Sequence, residues 1–371
     1  VRVYLRASAL AGQVPGVTGS IKLYCRQYFG GWLEVGDLSP QPPGVVTAWA
    51  SQDYATERSN LGASLNFIIP AHRMIGHLLL GVSVKSPAPG AASDSVTIDV
   101  DATLHQTIRI AGIMVAYNGP NAAGTANLNL PAPTLPDLQA TAAWMLTTHP
   151  ISASTYRIAG TVNWNQPLTD APSCPGCCSP RWGALNADLE TVRLADGNQP
   201  GDVYYGLLAT GTPMGPIIGC NSGPVSSGRN GDQVTMAHEI GHFKGFAHAP
   251  CGVPGDPNYP AYEPYDPVSI GEYGLDINNG TIHSPQTHKD YMSYCAPRWI
   301  SLYNYGRLIN NALLHPDIRG EDWSWDEWRR IDPRYYLTRP YPWPPIPGPP
   351  PPYPWIDPDP WRVTPTLSRR S

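Results

Sequence analysis

The chain has 371 residues and a formal net charge of −5, with 24 Lys and Arg against 29 Asp and Glu. This balance offers no basic surface for nucleic acid, and no apolar run reaches the ~20 residues that a membrane-spanning helix needs. The length predicts more than one domain, while a charged fraction of 14 % and the 36 Gly and 43 Pro indicate short strands and long loops.

Seven cysteines and scarce charge are typical of an exported protein in an oxidising compartment, so we expect the protein to be secreted. The opening "VRVYLRASAL" has neither an initiator Met nor a signal-peptide pattern. We interpret the chain as a processed piece of a longer one. An odd number of cysteines leaves at least one outside intramolecular pairs.

The run CPGCC, Cys174 to Cys178, has the C-x-x-C spacing of a zinc knuckle. No second C-x-x-C or C-x-x-H pair completes such a site, so disulfides are the favoured interpretation. We expect Cys220 to pair with one member of the run and Cys251 to pair with Cys295.

Residues 1–105 alternate β-branched and aromatic runs with turn residues, which predicts an all-β, immunoglobulin-like sandwich. We expect this domain to have an accessory role. His72 and His77 have no acidic residue close in sequence, so ordinary surface histidines are favoured there over a second metal site.

Residues 106–318 alternate strands with helices, which predicts an α+β domain with a mixed sheet. A buried strand is expected at 107–117, and a helix is expected to begin at Asp232 as its N-cap and to end at Gly245. Further strands and helices are predicted in "LPDLQATAAWMLTTHP" (helix), "YRIAGTVNW" (strand), "ALNADLETVRLA" (helix), "DVYYGLLA" (strand), "GPIIGC" (strand) and "RWISLYNYGRLINNALL" (helix, 298–314).

Residues 319–371 form a Trp- and Pro-rich tail. So many prolines favour polyproline II and exclude a conventional core. A linker to a further domain is the favoured interpretation. The alternative, in which the tail packs over the protein or docks on a partner, is supported by Trp343, Trp355 and Trp361.

The segment "HEIGHFKGFAH" places His238, Glu239, His242 and His248 in one short stretch. On a helix, His238 and His242 share a face as two ligands of one ion require, and Glu239 lies ~100° further round, within reach of a water at the ion. Gly245 supplies the turn that would return His248 to the same ion. Three neutral ligands leave a position open, as in catalytic zinc sites. A histidine-rich helix of no consequence is the alternative, but the full pattern arises by accident on the order of once in ten thousand chains.

H-E-x-x-H-x-x-G-x-x-H is the zinc motif of the metzincin clan of metalloendopeptidases, which this segment resembles at every fixed place. The resemblance implies one catalytic zinc ion held by the three histidines. Met292, in "KDYMSYC", looks like the methionine of the turn that supports the clan's zinc site. Tyr294 lies two places on, as in serralysins and astacins, where the tyrosine can bind zinc and stabilise the transition state.

The resemblance covers about residues 105–312 and departs from the better-known branches at Ala249. The "HAPC" and "MSYCAPRWIS" segments are similar to a group of secreted, largely microbial metzincins. Serralysin calcium repeats are absent; calcium at the carboxylates of 271–280 is the less favoured reading. Metzincins bind an extended substrate along an edge strand, and "DVYYGLLA" resembles that strand, with Tyr204, Tyr205, Gly206 and Leu207 as substrate-binding residues.

The sequence therefore predicts a secreted, monomeric zinc endopeptidase that hydrolyses peptide bonds, with Glu239 as general base. Two alternatives stay open. The same ligands would serve a zinc hydrolase of a non-protein amide, such as a cell-wall crosslink. A non-catalytic binding protein is the other, although the intact Glu239 argues against it.

Overall fold

The structure is a computed structural model that describes residues 1–8, 11–26, 31–70, 73–74, 76–87, 92–102, 107–151, 153–311 and 314. His72 and the predicted tail, 319–371, lie outside these residues. The helices are α1 (Tyr54–Arg58), α2 (Leu135–Thr148), α3 (Pro180–Ala195), α4 (Gln233–Phe243) and α5 (Leu302–Ile309). The strands are β1 (Arg2–Val3), β2 (Gln13–Arg26), β3 (Trp32–Leu38), β4 (Val46–Trp49), β5 (Leu65–Asn66), β6 (Gly76–Lys85), β7 (Ser93–Ala102), β8 (Thr107–Pro120), β9 (Asn127–Leu130), β10 (Ala153–Trp164), β11 (Asp202–Leu208), β12 (Gly219–Ser222), β13 (Val225–Arg229), β14 (Gly274–Leu275), β15 (Ile282–His283), β16 (Lys289–Asp290) and β17 (Arg298–Trp299).

The N-terminal strands form a five-stranded antiparallel sheet in the order β3-β2-β6-β7, with β4 paired to β2. A separate two-stranded ladder joins β1 to β5. Alternate residues of β2 and β6, such as Ile21, Leu23 and Leu80, are buried in one apolar cluster with Leu65 and Phe67 of the ladder region. The period-2 pattern of these strands therefore supplies one apolar face.

A six-stranded mixed sheet follows, in the order β10-β8-β11-β13-β12 with β9 paired to β8. β8, β10, β11 and β13 run parallel, whereas β12 is antiparallel to β13. The near-continuous apolar run of β8 is buried on both faces, as central parallel strands are. Ile110 contributes to the core shared with α2 and α4, and Ile113 contributes to the core shared with α3. The fold is thus a mixed sheet with helices on both faces, alongside several smaller sheets.

The helix boundaries follow local signals in the sequence. Asp232 caps α4 by accepting a hydrogen bond from the Thr235 backbone amide at 3.1 Å, and the helix stops before Gly245, whose φ is +84°. Both features of α4 were predicted. The helix predicted over 298–314 is wrong at both ends. Arg298 and Trp299 pair with β16, so α5 begins only at Leu302, after its N-cap Ser301, and it ends at Ile309, before its C-cap Asn310.

Between α4 and α5 the chain is mostly irregular, and the Cys251–Cys295 disulfide crosslinks this segment. Two further disulfides lie earlier in the chain and join Cys174 to Cys177 and Cys178 to Cys220. The expected Cys220 and Cys251 pairings are confirmed. Among the described residues, no helix is long and apolar enough to cross a membrane.

Candidate metal centre

Three histidine side chains converge on one point at the end of α4. The Nε2 atom of His242 lies 3.1 Å from the Nε2 atom of His238 and 3.1 Å from the Nε2 atom of His248. All three potential ligand atoms lie within 4.8 Å of one another. In the described part of the chain, this is the one group of three or more His, Cys, Asp or Glu side chains close enough to hold a metal ion.

The backbone sets the orientation of two of these rings. His238 directs its Nδ1 to the carbonyl oxygen of Tyr291 at 2.9 Å, and His242 directs its Nδ1 to the carbonyl oxygen of Phe246 at 2.8 Å. A carbonyl oxygen only accepts, so each Nδ1 carries the proton and donates. Each Nε2 therefore presents a lone pair to the common point, which is the tautomer that a metal ligand requires.

His248 reaches this point because the chain reverses after α4. Gly245 adopts the left-handed conformation that closes the helix, and the Phe246 amide bonds back to the Gly241 carbonyl at 3.0 Å. Ala249 then bonds to the carbonyl of Met292 at 3.0 Å. Sequence spacing predicted this reversal, and the hydrogen bonds explain why it is stable.

The segment that contains Met292 lies directly beneath α4. Met292 is fully buried, and a Cβ added to Gly241 would collide with its Sδ atom. A buried carboxylate organises this segment: Asp290 accepts hydrogen bonds from the Met292 amide at 2.7 Å, the Ser301 amide at 2.9 Å and the Asn304 side chain at 2.8 Å. Sequence reasoning missed Asp290, because two of its three donors, Ser301 and Asn304, lie 11 and 14 residues further along the chain.

Glu239 directly follows His238 on α4, and its side chain lies against β12 of the sheet. Its side chain is buried, and its Oε1 atom would lie 2.9 Å from a Cβ added to Gly219 of β12. Burial raises the pKa of Glu239 to about 8, against the opposing effect of a hydrogen bond from the Asn221 backbone. Burial thus moves the pKa of this carboxyl group towards the pH range in which general acids and bases act.

Tyr294 completes the surroundings of the histidines. Its ring centroid is 5.0 Å from that of His248 and 5.8 Å from that of His238. The side chain is 48 % exposed, so its hydroxyl group can meet a molecule that enters from solvent. Its backbone amide is bonded to the Cys251 carbonyl at 3.2 Å, next to the Cys251–Cys295 disulfide.

The residues fit a divalent transition metal. Two nitrogen atoms ~2.05 Å from one ion at a tetrahedral angle lie ~3.3 Å apart, close to the observed 3.1 Å. Burial lowers the pKa of His238, and also that of His248 to about 4, which keeps both imidazoles neutral. An all-nitrogen set suits zinc, copper, nickel or iron better than calcium or magnesium.

Comparison with models of known protein families, with curated proteins and with solved structures returns no match. The site therefore rests on its own geometry and on the sequence pattern that runs from His238 to His248.

The strand predicted to bind substrate is wrongly assigned. β11 is hydrogen-bonded to β8 on one side and to β13 on the other, so it is a central strand. Tyr204, Tyr205, Gly206 and Leu207 are buried within it and have no free backbone edge. A central parallel strand and an edge strand can share the same short apolar run, and only the pairing separates them. Of the described strands, β12 forms the sheet edge beside Glu239.

The less favoured reading of residues 271–280 as a calcium site is not supported by their geometry. Part of this segment forms the short β14–β15 ladder. The Asp276 carboxylate accepts hydrogen bonds from the Asn278 amide and the Asn279 side chain, each at 2.9 Å. These contacts close a local turn, and the described residues here do not bring three His, Cys, Asp or Glu side chains together.

Proposed function

We propose that this protein is a secreted zinc endopeptidase of the metzincin clan. The single observation that carries the proposal is the convergence of three imidazoles on one point, with the buried carboxylate Glu239 directly after the first of them on α4. The order of these residues in the chain is that of the clan motif. The three disulfides support export to an oxidising compartment.

His238, His242 and His248 would hold the zinc ion. When bound, zinc supplies Lewis-acid chemistry, since it polarises a carbonyl group and acidifies water. Zinc is proposed over other transition metals because three histidines that leave one position open form its usual hydrolytic site.

Glu239 is proposed as the general base. It accepts the proton of the water that attacks the scissile carbonyl carbon, and it then passes this proton to the leaving amine as the C–N bond breaks. Its position beside β12 allows both transfers, because a substrate that pairs with this strand would bring its scissile bond next to the carboxylate.

Tyr294 is proposed to stabilise the oxyanion that develops on the scissile carbonyl. Its partly exposed ring contacts the rings of both His238 and His248. Burial keeps the pKa of Tyr294 above its ordinary value, so the group remains a hydrogen-bond donor at neutral pH.

The substrate is proposed to bind in extended form, antiparallel to β12. The outer edge of β12 pairs with no other described strand, and backbone hydrogen bonds along it would fix the peptide without selecting its side chains. Residues 106–318 would form the catalytic domain of this enzyme, and residues 1–105 an immunoglobulin-like accessory domain.

The deciding experiment incubates the purified protein with a peptide library and reads the products by mass spectrometry. Cleavage is expected in the presence of zinc, loss after chelation, and recovery on adding zinc back. If zinc binds but no peptide is cut, the endopeptidase proposal fails. Cleavage of amide crosslinks in a cell-wall preparation, with all peptides left intact, would favour the non-protein hydrolase instead.

A further inference from the structure

The CPGCC loop, residues 174–178, links the sheet edge to the third histidine. At one end, Cys178 is bonded to Cys220 of β12, with 5.7 Å between their Cα atoms. At the other end, a Cβ added to Gly176 would lie 3.0 Å from Cε1 and 3.3 Å from Nδ1 of His248. The loop therefore contacts both sides of the cleft that the proposed function requires.

The loop is built as a rigid unit. A second disulfide joins Cys174 to Cys177 and closes the turn around Pro175 and Gly176. Gly176 has φ +80°, a conformation that glycine adopts without strain, and its missing side chain is what allows the close approach to His248. The Cys174–Cys177 disulfide therefore closes the loop on itself, while the Cys178–Cys220 disulfide anchors its end to β12.

The contact with His248 continues into a wall. A Cβ on Gly176 would also meet Val253 at 3.6 Å, and a Cβ on Gly252 would meet the Cβ of Tyr294 at 3.0 Å. Pro175 is exposed, so the outer face of this wall is open to solvent while its inner face lies against the metal-binding histidine.

The direction of β12 determines which end of a bound peptide would contact the CPGCC loop. Glu239 lies against Gly219 at the start of β12 and also accepts a hydrogen bond from the Asn221 backbone. The carbonyl oxygen of Asn221 is 3.4 Å from Cys178 Sγ, so the loop begins where the contacts of Glu239 with β12 end. A peptide antiparallel to β12 would run towards its own N-terminus as it approaches Asn221. Since two residue steps of ~3.3 Å separate Gly219 from Asn221, at most about two substrate residues fit between the scissile bond and the loop.

We propose that the CPGCC loop is an end wall that limits the substrate to about two residues on the N-terminal side of the scissile bond. The protein would then cut close to the N-termini of peptides and leave their C-terminal length unrestricted. This inference rests on the proposed function and names the class of substrate that the same site accepts.

The test uses the zinc-loaded protein and two series of fluorogenic peptides that share one scissile bond. One series is lengthened residue by residue on the N-terminal side and the other on the C-terminal side. We expect kcat/KM to fall by about tenfold or more once the N-terminal segment passes about two residues, and to stay level in the other series. The variant C174S/C177S, which opens the small loop but keeps the Cys178–Cys220 disulfide, is expected to reduce this difference.

Cys25→Ser, a cysteine substitution in the N-terminal sheet, serves as the matched control. This variant should have the same ratio of kcat/KM for short peptides to kcat/KM for long peptides as the wild type. If the double variant does not fold, as judged by its thermal transition, Pro175→Gly loosens the same turn without removing a disulfide. If the wild type cleaves peptides of all lengths equally well, the end-wall proposal is wrong, whereas the endopeptidase proposal still holds. A length limit on the C-terminal side, or one that the loop variants do not change, also overturns the end-wall proposal, whereas no cleavage of any peptide defeats the proposed function itself.

Discussion

The Nδ1 atom of His238 donates a hydrogen bond to the backbone carbonyl of Tyr291 at 2.9 Å, across 53 positions of sequence. This bond joins the helix that carries two of the histidines to the segment that carries Met292. It also fixes the proton on Nδ1 and leaves Nε2 free for a ligand. The metal centre and the Met292 segment therefore form one structural unit.

Replacement of Glu239 by Gln should leave the three histidines able to bind zinc and remove the base. We expect zinc content to stay at one ion per chain while kcat falls by ~10²–10⁴-fold. Zinc analysis and peptide cleavage measured on the same preparation check this, with Glu190→Gln on α3 as the control. A variant that cleaves peptides at nearly the wild-type rate would refute the assignment of Glu239.

Tyr294→Phe keeps the ring against His248 and removes the hydroxyl group. If this hydroxyl stabilises the oxyanion, kcat should fall by ~10²–10³-fold with little change in KM, since the donor acts only in the transition state. Steady-state kinetics test this against Tyr24→Phe in the N-terminal sheet. A change confined to KM would instead indicate a role in substrate binding.

Gly241→Ala places a Cβ where Met292 Sδ already lies, so α4 or the Met292 segment must shift. We expect a loss of ~1–3 kcal/mol in the free energy of unfolding and weaker zinc binding. Gly183→Ala is the matched control: it lies in helix α3 with no atom within 4 Å of the added Cβ. It should stabilise the protein by ~0.5–1 kcal/mol. Denaturant unfolding of both variants measures the two changes in the free energy of unfolding. Equal effects of the two substitutions would contradict the packing argument.

Asp290→Asn replaces one acceptor oxygen by an NH₂ group that faces backbone or side-chain donors. At least one of the three hydrogen bonds from Met292, Ser301 and Asn304 must then be lost in a buried site. The expected cost is ~1–3 kcal/mol in the free energy of unfolding. Asp188→Asn, at an exposed position of α3, should change stability little. A neutral effect at Asp290 would mean that the carboxylate does not organise this segment.

His149 should make stability depend on pH. The pKa of His149 is lowered well below 6.5, mainly by burial and to a lesser extent by the positive charge of Lys244. The unfolded chain therefore binds this proton near pH 6.5 and the folded chain only at lower pH. The stabilisation is complete above pH 6.5 and is lost as the pH falls below it, by up to ~1.4 kcal/mol per pH unit.

The variant His149→Gln removes this titration. Urea unfolding of the wild type and the variant at a series of pH values should give curves that diverge below pH 6.5, with the wild type losing stability faster. The other histidines titrate in both proteins and cancel in the difference. Parallel curves would show that His149 does not carry the effect.

Much of the fold near the site follows from local rules in the sequence. The buried run of β8, the Asp232 cap and the stop at Gly245 were predictable because each depends on residues within one or two helical turns or one strand. The start of α5 was not, because Arg298 and Trp299 are held by pairing with β16, a contact that leaves no trace in helical periodicity.

The candidate site divides in the same way. Spacing alone named His238, Glu239, His242 and His248, because two ligands on one helical face and a glycine stop restrict where the third can go. Asp290 and the edge strand β12 were missed, and β11 was chosen in its place. The roles of a buried carboxylate and of a sheet edge depend on which distant groups lie opposite them.

The sequence by itself determined which atoms meet at the candidate metal centre, because a helix and its terminal turn constrain the chain over a few residues. Only the tertiary structure decided what surrounds that centre: the segment beneath α4, the strand β12 at the edge of the described sheet and the CPGCC loop against His248. Those arrangements arise from hydrogen bonds, disulfides and packing between residues far apart in the chain, and such contacts are fixed only when the whole core forms.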